Sequence, residues 1–177
     1  MGLKADCNFL GLEGDVVPSV STLEQLMVTC LQDLRKGEGL TLDRFPAIAD
    51  AVTDTVTGGL LRQRLNDARK RADGLDALGK RLGVKPCGDE NLWMMGMLDD
   101  AEGDMKTEEA GPLLDLALIG AVRKMVNASL VSYETAVAVA ARLNDERARD
   151  LFADARDREA EAETGLRASL FRIAAGS

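Results

Sequence analysis

The chain has 177 residues, of which 46% are hydrophobic, 3% aromatic and 29% charged, a balance that favours a single domain of packed amphipathic helices over a β-sandwich. Its formal net charge of -8 at pH 7 argues against binding to nucleic acid or to anionic membrane surfaces. Histidine is absent, which excludes histidine general bases, Ser-His and Cys-His catalysis, and histidine-ligated metal sites.

The three cysteines are Cys7, Cys30 and Cys87, and their wide spacing fits neither a disulfide framework nor a CxxC zinc or redox motif. We therefore interpret them as reduced thiols. No apolar run approaches the roughly 20 residues that span a bilayer, and the first residues do not resemble a signal peptide. These features predict a cytoplasmic protein with no membrane association.

The N-terminal part of the chain divides at residue 22. Residues 1–21 show no sustained hydrophobic period, and we predict an irregular N-terminal arm there. From Thr22 to Val52 apolar residues recur every three or four positions, which predicts one long helix. Pro46 lies inside this pattern and is expected to kink the helix rather than end it.

A second apolar stripe predicts a helix that follows Gly58-Gly59. It runs from Leu61 to Leu82 and is closed by Gly83, a residue type that commonly ends helices. The next segment, residues 87–111, contains a tryptophan, several methionines and an acidic run. We predict a short helix on a crossover in this segment.

Two more long stripes complete the chain. Pro112 suits the first turn of a third long helix, whose apolar stripe continues to Leu143, and Asn144-Asp145 begin a fourth helix. Four long helices in two pairs, separated by a crossover, are typical of ferritin-like connectivity. The sequence therefore predicts an all-α, ferritin-like four-helix bundle over residues 22–177.

Three glutamates fall on or beside the apolar stripes of the first and fourth long helices. Glu38 lies on the first, and Glu159 and Glu163 lie one turn apart on the fourth. Glutamate is seldom buried, so one interpretation is that these residues lie at stripe edges and reach solvent. The other interpretation is a present or former metal site inside the bundle.

The second and third long helices lack the residues that a ferritin-like di-metal site requires. Such sites take a glutamate from each of two helices and a Glu-x-x-His pair from each of the other two. At the corresponding depth the second helix has Asn66 and Arg69, and the third has Val126 and Ser129. Neither pair supplies the usual iron ligands.

The order of motifs resembles the YciF/YciE-like family of bacterial ferritin-like stress proteins. The run Thr22-Leu23-Glu24-Gln25-Leu26 is similar to the family's T-[IL]-E-[DQ]-[LVF], and residues 115–124 are similar to its D-A-A-L-I-A-A-A-Q-K. Tyr133 and Thr135 keep the Y-x-T that follows. The resemblance extends from about Thr22 to Leu170 and implies the ferritin-like fold and a homodimer paired through long helices.

The chain departs from the family at the metal ligands. Where the family has E-E-T-H on its second helix, residues 66–69 are Asn-Asp-Ala-Arg, and V-E-H-Y-E on the third is replaced by Met-Val-Asn-Ala-Ser at 125–129. Carboxylates remain on the fourth helix, at Glu159 and Glu163. The resemblance therefore implies the fold more strongly than it implies iron chemistry.

Inward carboxylates need a counterion, because an unpaired buried charge is costly. We predict that Arg69 points into the bundle and pairs with Glu38 and Glu159, which with Glu163 would form a charge-compensated former metal site. The alternative is that Arg69 extends to solvent beside Lys70. Arg71 is expected on the solvated face of its helix.

These observations predict a metal-free, non-enzymatic bundle with no cofactor, acting as a structural or protein-interaction component, with a stress-related role implied by the resemblance. The alternative is a carboxylate-bridged di-metal protein, an iron-binding protein or oxidase of the YciF/YciE-like type. It would bind iron through Glu38, Glu159 and Glu163, with Asp67 or backbone and water as further ligands. Metal content distinguishes the two hypotheses.

Overall fold

The computed structural model describes residues 20–86 and 90–176, which form five α-helices and, within those ranges, no strand. The helices are α1 (Leu23–Ala51), α2 (Thr55–Leu82), α3 (Leu92–Thr107), α4 (Pro112–Arg142) and α5 (Glu146–Ala174). The predicted all-α architecture, with four long helices and a shorter helix in the crossover, is confirmed. The predicted irregular arm lies outside the described residues, apart from positions 20 and 21.

Local side-chain chemistry sets the helix ends. Thr22 begins α1 with a capping box, in which its hydroxyl accepts from the Gln25 amide and the Gln25 side chain accepts from the Thr22 amide. Gly83 ends α2 in the left-handed conformation, with φ of 70°, which a glycine adopts without strain. Asp145 caps α5 by accepting from the Ala148 amide.

The start of α2 differs from the sequence prediction. The helix begins at Thr55, so the expectation that it follows Gly58-Gly59 is wrong. The carboxylate of Asp54 accepts hydrogen bonds from both the amide and the hydroxyl of Thr57, and this cap starts the helix before the glycines. Gly58 and Gly59 therefore lie inside the first turns of α2.

The four long helices form a ring in the order α1, α2, α5, α4, and each runs antiparallel to both neighbours. Hydrogen bonds join the end of α1 to the start of α4, and an Arg172–Asp54 ion pair joins the end of α5 to the start of α2. The crossover helix α3 packs on α1 and α4. Asn91, which caps α3, donates to the carbonyl and carboxylate of Asp33 on α1.

Two apolar cores lie at opposite ends of the bundle. One is built around Phe45, Leu118 and Leu166, and the other around Leu31, Tyr133 and Phe152. Between them every long helix contributes at least one buried polar residue. No helix of the described residues is both long and apolar enough to cross a membrane.

A buried carboxylate closes the end of the bundle where α1 passes to α2. Asp115 on α4 accepts from the Thr53 amide at 2.7 Å, the Thr53 hydroxyl at 2.8 Å and the Asp54 amide at 2.9 Å. Next to it, hydrogen bonds from the Arg172 guanidinium and then from Thr57 hold the pKa of Asp54 well below its usual range. The α1–α2 turn is therefore held by side chains of both α4 and α5.

We expect Asp115→Ala to destabilise the bundle by about 1–3 kcal/mol, because it removes the acceptor of three hydrogen bonds from Thr53 and Asp54. Asp157→Ala is the matched control, since Asp157 is exposed and pairs with its neighbour Arg156. It should change stability by no more than about 0.5 kcal/mol. Equal denaturation midpoints for the two variants would show that Asp115 does not hold the turn.

Candidate functional site

The layer between the two apolar cores is the candidate site, and we call its five side chains the ion-pair layer. They are Glu38 of α1, Arg64 and Arg71 of α2, Tyr133 of α4 and Glu159 of α5. None is more than 5% exposed. Each of the four long helices therefore places a charged or hydrogen-bonding group at the same depth of the bundle.

Glu38 is held by three hydrogen bonds. Arg71 donates from Nε to Glu38 Oε1 at 2.6 Å and from Nη2 to Oε2 at 3.1 Å, which is the bidentate geometry of a guanidinium on a carboxylate. The Tyr133 hydroxyl donates to Oε1 at 2.8 Å. The carboxylate is thus joined to both α2 and α4.

Glu159 contacts both arginines. Its Oε1 lies 2.7 Å from Arg71 Nη2, and its Oε2 accepts from Arg64 Nε at 3.3 Å. The Arg64 guanidinium also lies over the Phe45 ring, 5.1 Å from its centre. Two guanidinium charges and two carboxylate charges therefore leave the ion-pair layer neutral.

Two polar atoms of this layer lack a directed hydrogen bond within the described structure, Arg64 Nη1 and Glu159 Oε1. The contact of Glu159 Oε1 with Arg71 is consequently a charge contact rather than an aligned hydrogen bond. Buried polar atoms without partners cost free energy, so the layer is less favourable than a fully bonded network.

The charges of this layer shift the pKa values of two members. Burial alone would lower the pKa of Arg71, but the negative charges of Glu38 and Glu159 raise it above its usual value. Burial, and then the charge of Glu38, raise the pKa of Tyr133 well above 10. Both shifts favour a charged Arg71 and a protonated Tyr133 in the folded bundle.

The structure places two of the four residues predicted for this site inside the bundle and the other two elsewhere. Glu38 and Glu159 are buried, as the inward interpretation requires, whereas Glu163 is half-buried and accepts from Arg123 Nε of α4 at 3.0 Å. The prediction that Arg69 provides the buried positive charge is wrong, because Arg69 is exposed.

Arg71, expected on the solvated face, is instead buried with Arg64, and together they supply the predicted compensation. Helical geometry explains the difference. At 3.6 residues per turn, Arg71 and Arg64 point within roughly 60° of the buried Ala68, whereas Arg69 points about 100° away on the other side. The three- and four-residue spacing from Leu61 through Ala68 to Leu75 was therefore the signal for both arginines.

The donor set does not fit the di-metal centre of ferritin-like proteins. Each buried carboxylate is already engaged by a guanidinium, and Arg64 and Arg71 would repel a cation placed between them. Asp67 is buried at the edge of α2, but it accepts from Gln63 and Lys70 rather than joining Glu38 or Glu159. Among the described residues, no three acidic or cysteine side chains are grouped so that they could hold a metal ion.

Comparison with solved structures finds the same fold in bacterial proteins. The E. coli stress protein YciF matches with a TM-score of 0.84 and 18% identity, over 89% of this chain and 100% of its own. YcfI, described as a proposed structural protein from Rhodopseudomonas palustris, matches with a TM-score of 0.81 and 22% identity, over 86% of this chain and 97% of its own.

A third match is to part of a larger protein. A two-domain protein of Anabaena variabilis, with DJ-1/ThiJ/PfpI-like and ferritin-like domains, matches with a TM-score of 0.62 and 16% identity, over 89% of this chain and 39% of its own. A family model described as Domain of unknown function (DUF892) matches residues 22–175. Comparison with curated proteins gives no significant match.

We expect Arg71→Met to destabilise the bundle by about 3–5 kcal/mol, because it removes the main counterion of two buried carboxylates. Arg69→Met, on the same helix but exposed, should stay within about 0.5 kcal/mol of the parent. Chemical denaturation followed by circular dichroism measures both.

If Arg71→Met does not fold, we expect the double variant Glu38→Met/Arg71→Met to fold. It removes one positive and one negative charge, so the ion-pair layer stays neutral. Similar losses for the variants at positions 69 and 71 would contradict the assignment of the buried counterion.

Tyr133 is the sole tyrosine of the chain, so tyrosinate absorbance reports on the ion-pair layer alone. Its raised folded pKa adds stability that is fully present below about pH 10, the unfolded value, and is lost as pH rises through the folded value. We expect tyrosinate to form only as the helical signal is lost. Tyrosinate that forms near pH 10 while the protein is still fully helical would contradict the burial of Tyr133. The Tyr133→Phe variant, which has no tyrosine, gives the background absorbance.

Proposed function

The chain belongs to the DUF892 family and shares its fold with ferritin-like proteins, and from this premise we propose that it is a metal-free, non-enzymatic member. In this proposal the bundle acts as a structural or protein-interaction component. The interior position that serves metal chemistry in ferritin-like di-metal proteins instead carries arginine–glutamate pairs.

The observation that carries the proposal is that each retained carboxylate has an arginine partner. Arg71 contacts Glu38 and Glu159, Arg64 contacts Glu159, and Arg123 contacts Glu163. All three arginines lie on α2 and α4, the two helices whose sequences depart from the metal-ligand motifs. The positive charge that metal ions would provide is therefore supplied by the protein itself.

The arrangement of these charges also fits a structural role. A buried salt bridge adds little net stability relative to apolar packing, but separating its partners is costly. Any sliding of α2 against α1 or α5 would separate Arg71 from Glu38 or Glu159. The ion-pair layer thus favours one alignment of α1, α2 and α5. A fixed alignment is what a structural or protein-interaction role requires.

The descriptions of two structural neighbours agree with this proposal. YcfI is described as a proposed structural protein and YciF as a stress protein, and we extend both roles to this chain as a proposal. The homodimer and the cytoplasmic location stay predictions. Iron binding through Glu38, Glu159 and Glu163 would require metal ions to displace buried guanidinium groups, and no contact in the described structure favours it.

Metal content and ferrous-iron oxidation test the proposal directly. Protein purified without chelator should contain well under one iron or manganese ion per chain after dialysis, because the carboxylate ligands are occupied by arginine. Added ferrous iron should oxidise no faster in the presence of the unmodified protein than in the presence of the Glu38→Gln/Glu159→Gln variant in the same buffer. Two tightly held ions per chain, or saturable oxidation that depends on Glu38 and Glu159, would overturn the proposal.

A further inference from the structure

A cavity of about 210 Å³ opens between α2 and α5, towards the C-terminal end of α2 and away from the ion-pair layer. Its floor and walls combine small and aliphatic side chains with two arginines. The lining residues are Gly74, Ala77, Leu78, Arg81, Arg147 and Leu151.

The apolar part of this cavity is shaped by a close approach of the two helices. A Cβ atom at Gly74 would lie 2.7 Å from Leu151 Cδ1, so the glycine lets the leucine lie against α2. Leu78 is 4% exposed and belongs to one apolar core, and Leu151 packs against the same core. Ala77 is exposed and leaves the cavity open to solvent.

Two arginines line the rim of the cavity, and one of them is already paired with an aspartate. Arg81 of α2 and Arg147 of α5 line the cavity, which has no acidic side chain in its lining, in a chain whose net charge is -8. Arg81 also binds Asp145 through Nη2, at 2.5 Å, which leaves other N–H groups of its guanidinium for a ligand. Arg147 is exposed.

We propose that this cavity binds a medium-chain aliphatic carboxylate. The carboxylate lies between Arg81 and Arg147, because guanidinium groups form charge-assisted hydrogen bonds with carboxylate oxygens. The aliphatic chain lies over Leu78 and Leu151, from which it displaces water. A small hydrophilic anion would leave this apolar floor unused.

Isothermal titration of the full chain with sodium octanoate tests the proposal, with sodium acetate and octylammonium chloride as probes of the tail and the charge. We expect one octanoate site per chain, and binding of both comparison compounds at least about tenfold weaker. Octanoate that binds no more tightly than acetate or octylammonium would overturn the proposal.

Two pairs of variants locate the site. Arg147→Gln should weaken octanoate binding about tenfold, whereas Arg156→Gln, nine residues further along α5 and so on its opposite side, should not. Ala77→Phe should fill the cavity and abolish binding, whereas Ala138→Phe, at an exposed alanine of α4, should leave it unchanged. Thermal melts establish that all four variants fold, and equal octanoate affinity within either pair would place the ligand elsewhere.

Discussion

The two glutamates and two arginines of the ion-pair layer carry no net charge, and this neutrality lets the carboxylates lie inside the bundle. Glu38 and Glu159 are buried between two apolar cores, where an unpaired carboxylate would be too costly for the fold to keep. Arg71 contacts both, and Arg64 adds the second positive charge at Glu159. Because the four charges come from three different helices, the cores on either side can form only when α1, α2 and α5 are aligned so that these groups meet.

This layer also explains how a ferritin-like fold can exist without the ligands of a di-metal centre. The fold needs the interior carboxylates to be neutralised, but it does not require that the positive charge come from a metal ion. Arginine can supply this positive charge because its guanidinium stays charged when buried and can bind two carboxylates at once. Tyr133 completes the arrangement by donating to Glu38 from α4, the long helix that contributes no charge to the layer.

Asp115 is also a buried carboxylate, but it is stabilised by hydrogen bonds instead of ion pairs. It accepts three hydrogen bonds from Thr53 and Asp54, and these are neutral backbone and hydroxyl donors. Hydrogen bonds thus hold the helices together at the end of the bundle, and ion pairs hold them together in its middle. The proposed carboxylate cavity is separate from both, because it lies at the surface between α2 and α5, where Gly74 lets Leu151 approach.

The helices and most of their ends could be predicted from the sequence, because they follow from the hydrophobic period and from capping residues near one another in the chain. The inward position of Glu38 and Glu159 was one of two interpretations that the same period allowed. Under the inward interpretation, the sequence also indicated that these carboxylates need a buried positive charge as a counterion. The packing of the helices shows that Arg64 and Arg71 provide this charge and that Arg69 does not. Arg69, Lys70 and Arg71 form one basic run, and a long flexible side chain can reach solvent or a partner from several positions on a helix. Which of them is buried depends on where α1 and α5 place their carboxylates, and that is set by the packing of helices distant in sequence.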